Sequence, residues 1–228
     1  MNCQIVHDSI HGRAGWTTTY LLVVDDIDAG FGSVAIGGPW TGTPTIFEFY
    51  VLPAYRGCAF QLFEGFLQAC GARSMEIQSN DTLLAVMLHT YAREIRSEKI
   101  VFQNGVTTAL ESKGAALEAM TAEEDARRAI AARQGGAKWR LLLGNDTVAT
   151  GGILFHYNPP YADIYMDVAE PFRRRGFGAY LVQELKRVAY MLGSIPGARC
   201  SPDNIASRLT LQKAGFVPYA HMLNGSIR

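Results

Sequence analysis

No run of apolar residues in this 228-residue chain approaches the roughly 20 needed to cross a bilayer as a helix. Its first residues, Met1 to Asp8, lack the basic segment and apolar stretch of an export signal. Excess charge is missing too. The 21 Lys and Arg are balanced by 21 Asp and Glu, which removes the broad attraction of a basic protein for nucleic acid or an anionic membrane. Cysteine is scarce and scattered: Cys3, Cys58, Cys70 and Cys200 have no Cys-x-x-Cys spacing, which argues against both a zinc site and a disulfide framework. The expectation is a cytoplasmic globular protein without metal, nucleic-acid partner or membrane partner. Its 48% hydrophobic content suffices for a sizeable core in one or two domains.

What is present centres on the stretch Val168 to Leu181. Ile164 to Val168 alternates apolar and polar, the period of a strand, while Leu181, Leu185, Val188 and Leu192 recur at the spacing of one helix face. The loop between them therefore opens a helix, whose first amides lack intrahelical acceptors and favour an anion. Gly176 and Gly178 remove Cβ atoms that would block approach to these amides, and Arg173, Arg174 and Arg175 add attraction for a polyanion. Two common phosphate loops are excluded. Leu181 stands where a Rossmann loop needs its third glycine, and no Gly-Lys-Ser or Gly-Lys-Thr follows as a P-loop requires.

The remaining pattern is Arg-x-x-Gly-x-Gly at Arg173, Gly176 and Gly178. With Asn204, Ser207, Lys213, Gly215 and Phe216 downstream, it resembles the GNAT-type N-acetyltransferases. The resemblance implies a mixed α/β fold whose mostly antiparallel sheet is flanked by helices, with acetyl-CoA as cosubstrate. It further implies that Arg173, Arg174, Arg175, Gly176, Phe177, Gly178 and Ala179 enclose the pyrophosphate. A backbone N–H near Val168 would polarise the thioester carbonyl, and Asn204 would face the pantetheine arm. Read without the resemblance, Asn204 is equally suited to cap a helix.

The chain states this theme twice. Val51 to Gln61 can be laid on Val168 to Gly178 without a gap, so Arg56 falls on Arg173. Ala59 and Gln61 then replace Gly176 and Gly178, and side chains would crowd the cradle. Ser79-Asn80-Asp81 likewise resembles Ser201-Pro202-Asp203, and such self-similarity signals a duplicated unit. The expectation is tandem GNAT-like repeats: residues 1–105 degenerate and without a competent CoA loop, residues 106–228 binding acetyl-CoA, joined near Asn104-Gly105. Between them, Leu110 to Met120 is compatible with helix, and Thr121 to Glu124 reads as a capping box that opens a second helix. The repeats allow a monomer that mimics a dimer, and the oligomeric state is otherwise open.

The implied chemistry is acyl transfer from a thioester to a primary amine of a small molecule or peptide, by direct attack in a ternary complex. An alkyl ammonium has a pKa near about 10, so a group must take its proton. Asp163, Tyr165 and Asp167 share one face of the strand beside the loop and are the candidates, with His156 and His221 as isolated alternatives. Where many family members carry a tyrosine that protonates the leaving thiolate, this chain has Leu211, which cannot donate a proton. Tyr219 or Ser207 could stand in. Leu211 also supports a second reading, a non-catalytic acyl-CoA sensor or interaction module.

Overall fold

The computed structural model describes residues 4–124, 126, 127 and 136–228. A short helix α1 (His7–His11) precedes strands β1 (Thr17–Val24), β2 (Ile27–Ala35) and β3 (Thr45–Val51). Helix α2 (Ala59–Cys70), strand β4 (Ser74–Gln78), helix α3 (Thr82–Tyr91) and strand β5 (Ala92–Asn104) complete a first series. After β6 (Ala115–Ala119) the same order returns: β7 (Gly136–Leu143), β8 (Asp146–Leu154), β9 (Tyr161–Val168), α4 (Phe177–Met191), β10 (Ile195–Cys200), α5 (Ile205–Lys213) and β11 (Phe216–Ile227). Each series is three antiparallel strands, a helix, a parallel strand, a helix and a last strand, a mixed α/β plan given twice.

The chain forms two compact units. One comprises His7–Lys99 with Ala220–Arg228, the other Ile100–Tyr219 with residues 4–6. The first follows the strand order β1-β2-β3-β4-β11, the second β5-β10-β9-β8-β7-β6. The last strand of each series thus closes the sheet of the other unit. Met222–Ser226 of β11 pair antiparallel with β4, and Ile100–Gln103 of β5 pair antiparallel with β10. The division falls after Lys99 rather than at residue 105, and the final nine residues return to the first unit.

In the first unit Phe49, Phe63 and Phe66 stack at the centre of the core, with ring centroids 4.9 to 6.2 Å apart. The buried face of α2 is Ala59, Phe63 and Phe66, whereas Phe60 is exposed. In the second unit Leu181, Leu185, Val188 and Leu192 all enter the core, as their spacing predicts. The first hairpin turns tightly. Val24 pairs with Ile27 across Asp25 and Asp26, both at positive φ, a conformation that short polar side chains tolerate. β1 is mostly exposed, with only Leu22 buried.

Ala115–Ala119 is a strand, not part of a helix, because it pairs residue for residue with Trp139–Leu143. Helix propensity is a weak prior that such pairing overrides. The Thr121 hydroxyl accepts the Lys138 amide at 3.1 Å, so it serves the β7 side rather than a capping box. A helix does open at Glu123, and the expected remainder of it lies outside the described residues.

Candidate active site

The site begins with a pair of strands that part. β9 and β10 run parallel, but register holds only from Ile195 opposite Tyr161 to Gly197 opposite Asp163. Both strands continue past this point, to Val168 and Cys200, without further pairing. On its other edge β9 stays zipped to β8 as far as Ala149 and Val168. The Ala169 amide bonds to the Val148 carbonyl on the β8 side. Alternation along an antiparallel strand then turns the N–H and C=O groups of Ile164, Met166 and Val168 toward the edge that β10 has left. A wedge lined by main-chain donors and acceptors results.

Side chains alternate as predicted. Ile164, Met166 and Val168 pack toward α4, while Tyr165 and Asp167 are exposed on the opposite face and Asp163 on that face is buried. Tyr165 lies opposite Gly152 of β8. Burial raises its phenol above the ordinary value.

Beyond the wedge, Glu170–Phe172 makes a single 3₁₀ turn, and α4 starts at Phe177. Its N-cap is Gly176 at φ 90°, a left-handed conformation that costs glycine least, and no side chain caps the helix. A Cβ placed on Gly176 would find nothing nearer than the Lys213 ammonium, 4.0 Å away. Gly178 works differently from the expectation. A Cβ there would point into the protein, 3.1 Å from Val168 and 3.2 Å from Thr210, so this glycine lets α4 sit close on β9. The side chains of Phe177 and Ala179 are buried, leaving their backbone amides as what they can offer an anion.

The three arginines have distinct settings. Arg173 donates from Nε to the Val168 carbonyl at 3.0 Å and ties the loop to the strand end. Arg175 lies over the Phe172 and Phe177 rings, 5.5 and 5.2 Å from their centroids. Arg174 holds a positive φ of 62°. Lys213, at the end of α5, adds a fourth cation beside Gly176. It belongs to the Lys-x-Gly-Phe motif, yet sequence reasoning did not place it at the loop.

Asp163 sits where the β9/β10 pairing ends. Burial pushes its carboxyl up to about 6, against the opposing influence of the Arg199 guanidinium and the Tyr157 hydroxyl. Arg199 Nη2 stands 3.7 Å from Asp163 Oδ2 and donates to His156 Nε2 at 3.0 Å. An arginine can only donate, so Nε2 is the acceptor and the ring proton of His156 resides on Nδ1. His156 Nε2 is itself 3.6 Å from the Asp163 carboxylate. Tyr157 is fully buried, and its hydroxyl meets hydrogen-bond geometry with no described residue. Burial above all, then the Asp163 charge, raises that phenol well above its usual range.

Other expected residues fall as follows. Asn204 is the N-cap of α5, its Oδ1 accepting the Ser207 amide at 3.0 Å. Its counterpart is Asp81, which caps α3 through the Leu84 amide at 3.0 Å, one residue away from the alignment drawn on sequence. Leu211 is buried in the core. His221 belongs to the first unit, 2.7 Å from the Ser97 hydroxyl. Arg199 and Tyr157 gave no signal in sequence, since their meaning depends on β10 and the β8–β9 loop reaching Asp163. Among the described residues no group of three or more His, Cys, Asp or Glu could hold a metal ion.

The chain is similar to known proteins in part of its sequence and in its fold. Residues 107–216 match the acetyltransferase (GNAT) family. Over that stretch, which is just under half of the chain, the sequence is similar to a GNAT acetyltransferase domain. Among solved structures, a GNAT-family acetyltransferase from Colwellia psychrerythraea superimposes with a TM-score of 0.70 at 16% identity, over 97% of this chain and 89% of that one. A tandem GNAT protein from the clavulanic acid biosynthesis pathway gives 0.56 at 13% identity, over 94% and 84%. A GCN5-related N-acetyltransferase from Sphaerobacter thermophilus gives 0.54 at 16% identity, over 92% and 81%. These likenesses establish the fold, a tandem GNAT-like α/β architecture. No curated protein matches the sequence. Among the described residues no helix is long and apolar enough to cross a membrane.

Proposed function

We propose that the unit Ile100–Tyr219 transfers an acetyl group from acetyl-CoA to a primary amine by direct attack in a ternary complex, and that the unit His7–Lys99 holds no CoA. The observation that carries this is the parting of β9 and β10 at Asp163 and Gly197, followed on the same strand by an uncapped helix start at Gly176. A polar chain of pantetheine length needs main-chain partners, and Met166 and Val168 present theirs to the wedge. The diphosphate needs amides and cations, which Phe177, Gly178, Ala179, Arg174 and Lys213 supply. The left-handed Gly176 leaves room for it.

Asp163 is the proton acceptor in this reading. A carboxyl at about 6 is ionised at neutral pH and still basic enough to take a proton from an ammonium, directly or through water. Arg199 holds its carboxylate from the β10 side and is itself held by His156 Nε2. Tyr165 and Asp167, on the same face nearer the loop, border the approach of the amine. Alignment of that amine with the acyl carbon supplies most of the rate gain. Leu211 leaves the departing sulfur without a phenol, and a thiol of reference pKa near about 8.5 can depart as thiolate near neutral pH. Among the described residues no disulfide joins Cys58 or Cys70, which suits the cytoplasm.

The test is thiol release from acetyl-CoA in the presence of a panel of small amines and peptides, for the wild-type chain and Asp163→Asn. Amine-dependent release that the variant lacks supports the reading. Binding of CoA by calorimetry with no release for any amine favours the second reading, an acyl-CoA sensor, to which the buried Leu211 points.

A further inference from the structure

The first unit carries a groove that the acyl-transfer reading does not use. It encloses about 480 Å³, within the range of small-molecule sites, and lies wholly on His7–Lys99 and Ala220–Arg228. Its floor is the polar face of β4, β11 and β5, because Met75 and Ile77 turn their side chains into the core on the other side. Trp40 forms one wall. The Trp40 indole donates to Glu76 Oε2 at 3.0 Å and meets Trp16 edge-on at 6.1 Å, so its position is fixed from two directions.

Across the floor, Glu76 on β4 is in register with Asn224 on β11, and Ser74 with Ser226. β5 follows β11 and contributes Glu94 and Arg96. The Ser226 hydroxyl reaches Glu94 Oε2 at 3.5 Å. Among the described residues Arg96 has neither an ion-pair nor a hydrogen-bond partner. Glu76 and Arg96 stand two strands apart, a separation of about 10 Å that is too long for a direct ion pair. Glu76 on β4 and Arg96 on β5 therefore flank the Asn224 amide from its two sides, and Glu94 lies beside Arg96 on β5.

We propose that this groove binds a small zwitterion, its ammonium received by Glu76 and its carboxylate by Arg96. An extended ligand with charged ends bridges what the side chains cannot bridge themselves, and Asn224 offers both a donor and an acceptor to its middle. The proposal is independent of acyl transfer and stands whether or not the second unit proves to be active.

Calorimetry on the full-length protein at neutral pH tests it, with 6-aminohexanoate as probe and hexylamine and hexanoate as half-probes. The expected result is saturable binding of 6-aminohexanoate and at least roughly tenfold weaker binding of either half-probe. Arg96→Gln should weaken 6-aminohexanoate by about tenfold and leave hexylamine unchanged, and Glu76→Gln should weaken both amines. Arg96 is exposed, so its replacement leaves the fold intact, and a urea melt of the same sample verifies this. Absence of saturable heat up to about 10 mM probe, equal binding of hexanoate, or an Arg96→Gln protein that binds like wild type would each overturn the proposal.

Discussion

The two strand-to-helix passages differ in how the chain enters its helix. In both, an arginine five residues after the strand end reaches back to that strand: Arg173 to the Val168 carbonyl at 3.0 Å, Arg56 to the Val51 carbonyl at 3.5 Å. Both begin with an equivalent turn, Phe172 bonding to Ala169 and Tyr55 to Leu52, each at 2.9 Å. From there they diverge. In the second unit the turn ends at Phe172, the backbone passes through two left-handed residues, Arg174 and Gly176, and α4 starts afresh with bare amides. In the first unit the 3₁₀ turn runs from Pro53 to Cys58 straight into α2, and Ala59 is already helical, its amide bonded to the Arg56 carbonyl. Sequence comparison attributes the difference to bulk at Ala59 and Gln61. The structure attributes it to winding: amides that could meet an anion are spent on carbonyls of the preceding turn.

The largest expected effect tests this contrast directly. Gly176→Arg should abolish CoA binding, a loss of at least about a hundredfold, whereas Gln61→Arg at an exposed position of α2 should change it less than twofold; calorimetric titration reads both. Comparable losses at the two sites would break the one-cradle assignment. Next is Asp163→Asn, expected to lower kcat by about a hundredfold. In wild type kcat/KM should rise with pH through about 6, as the Asp163 carboxyl ionises, and this limb should vanish in the variant. Lys213→Gln should raise the KM for acetyl-CoA by about tenfold and reduce its salt dependence, with kcat little changed.

Smaller effects concern stability. Gly178→Ala puts a methyl 3.1 Å from Val168 and should cost about 1 to 2 kcal/mol in urea melts, while Gln61→Ala at the equivalent exposed position should be nearly neutral. In the first unit, burial alone would raise the Glu48 carboxyl, but hydrogen bonds from His7 and His11 at 3.1 and 2.8 Å outweigh it and bring it down to about 2. A carboxyl lower in the folded than in the unfolded chain stabilises above pH 4.5, and that contribution fades as pH falls toward 2. Glu48→Gln should therefore flatten the acid limb of the stability curve.

The strand-loop-helix passage from Val168 to Leu181 and the α4 face were legible because each is local. Strand, loop and helix lie within about thirty residues, and their signals are periodicity and glycine placement. The Ala115–Ala119 strand was not, since its Ala, Leu and Glu favour a helix in isolation and only pairing with β7 decides otherwise. Phe60 and Phe63 stand at helical spacing in the sequence, yet α2 buries Ala59, Phe63 and Phe66 and leaves Phe60 exposed. Arg199, Tyr157 and Lys213 were illegible for a further reason. Each gains its meaning from a neighbour on another element, and nothing in local patterning reports that pairing.

The swapped closing strands make the gene difficult to cut. Ser226 finds Ser74 across 152 positions of sequence, so the early half cannot finish its own sheet until translation is nearly over. A fragment ended at residue 105 would bring along the strand its partner needs and lack the one it needs itself. Each half expressed alone would expose a raw hydrogen-bonding edge, the kind of surface that recruits other chains. Duplication has here become interdependence, and mixing the two fragments should recover solubility that neither has by itself.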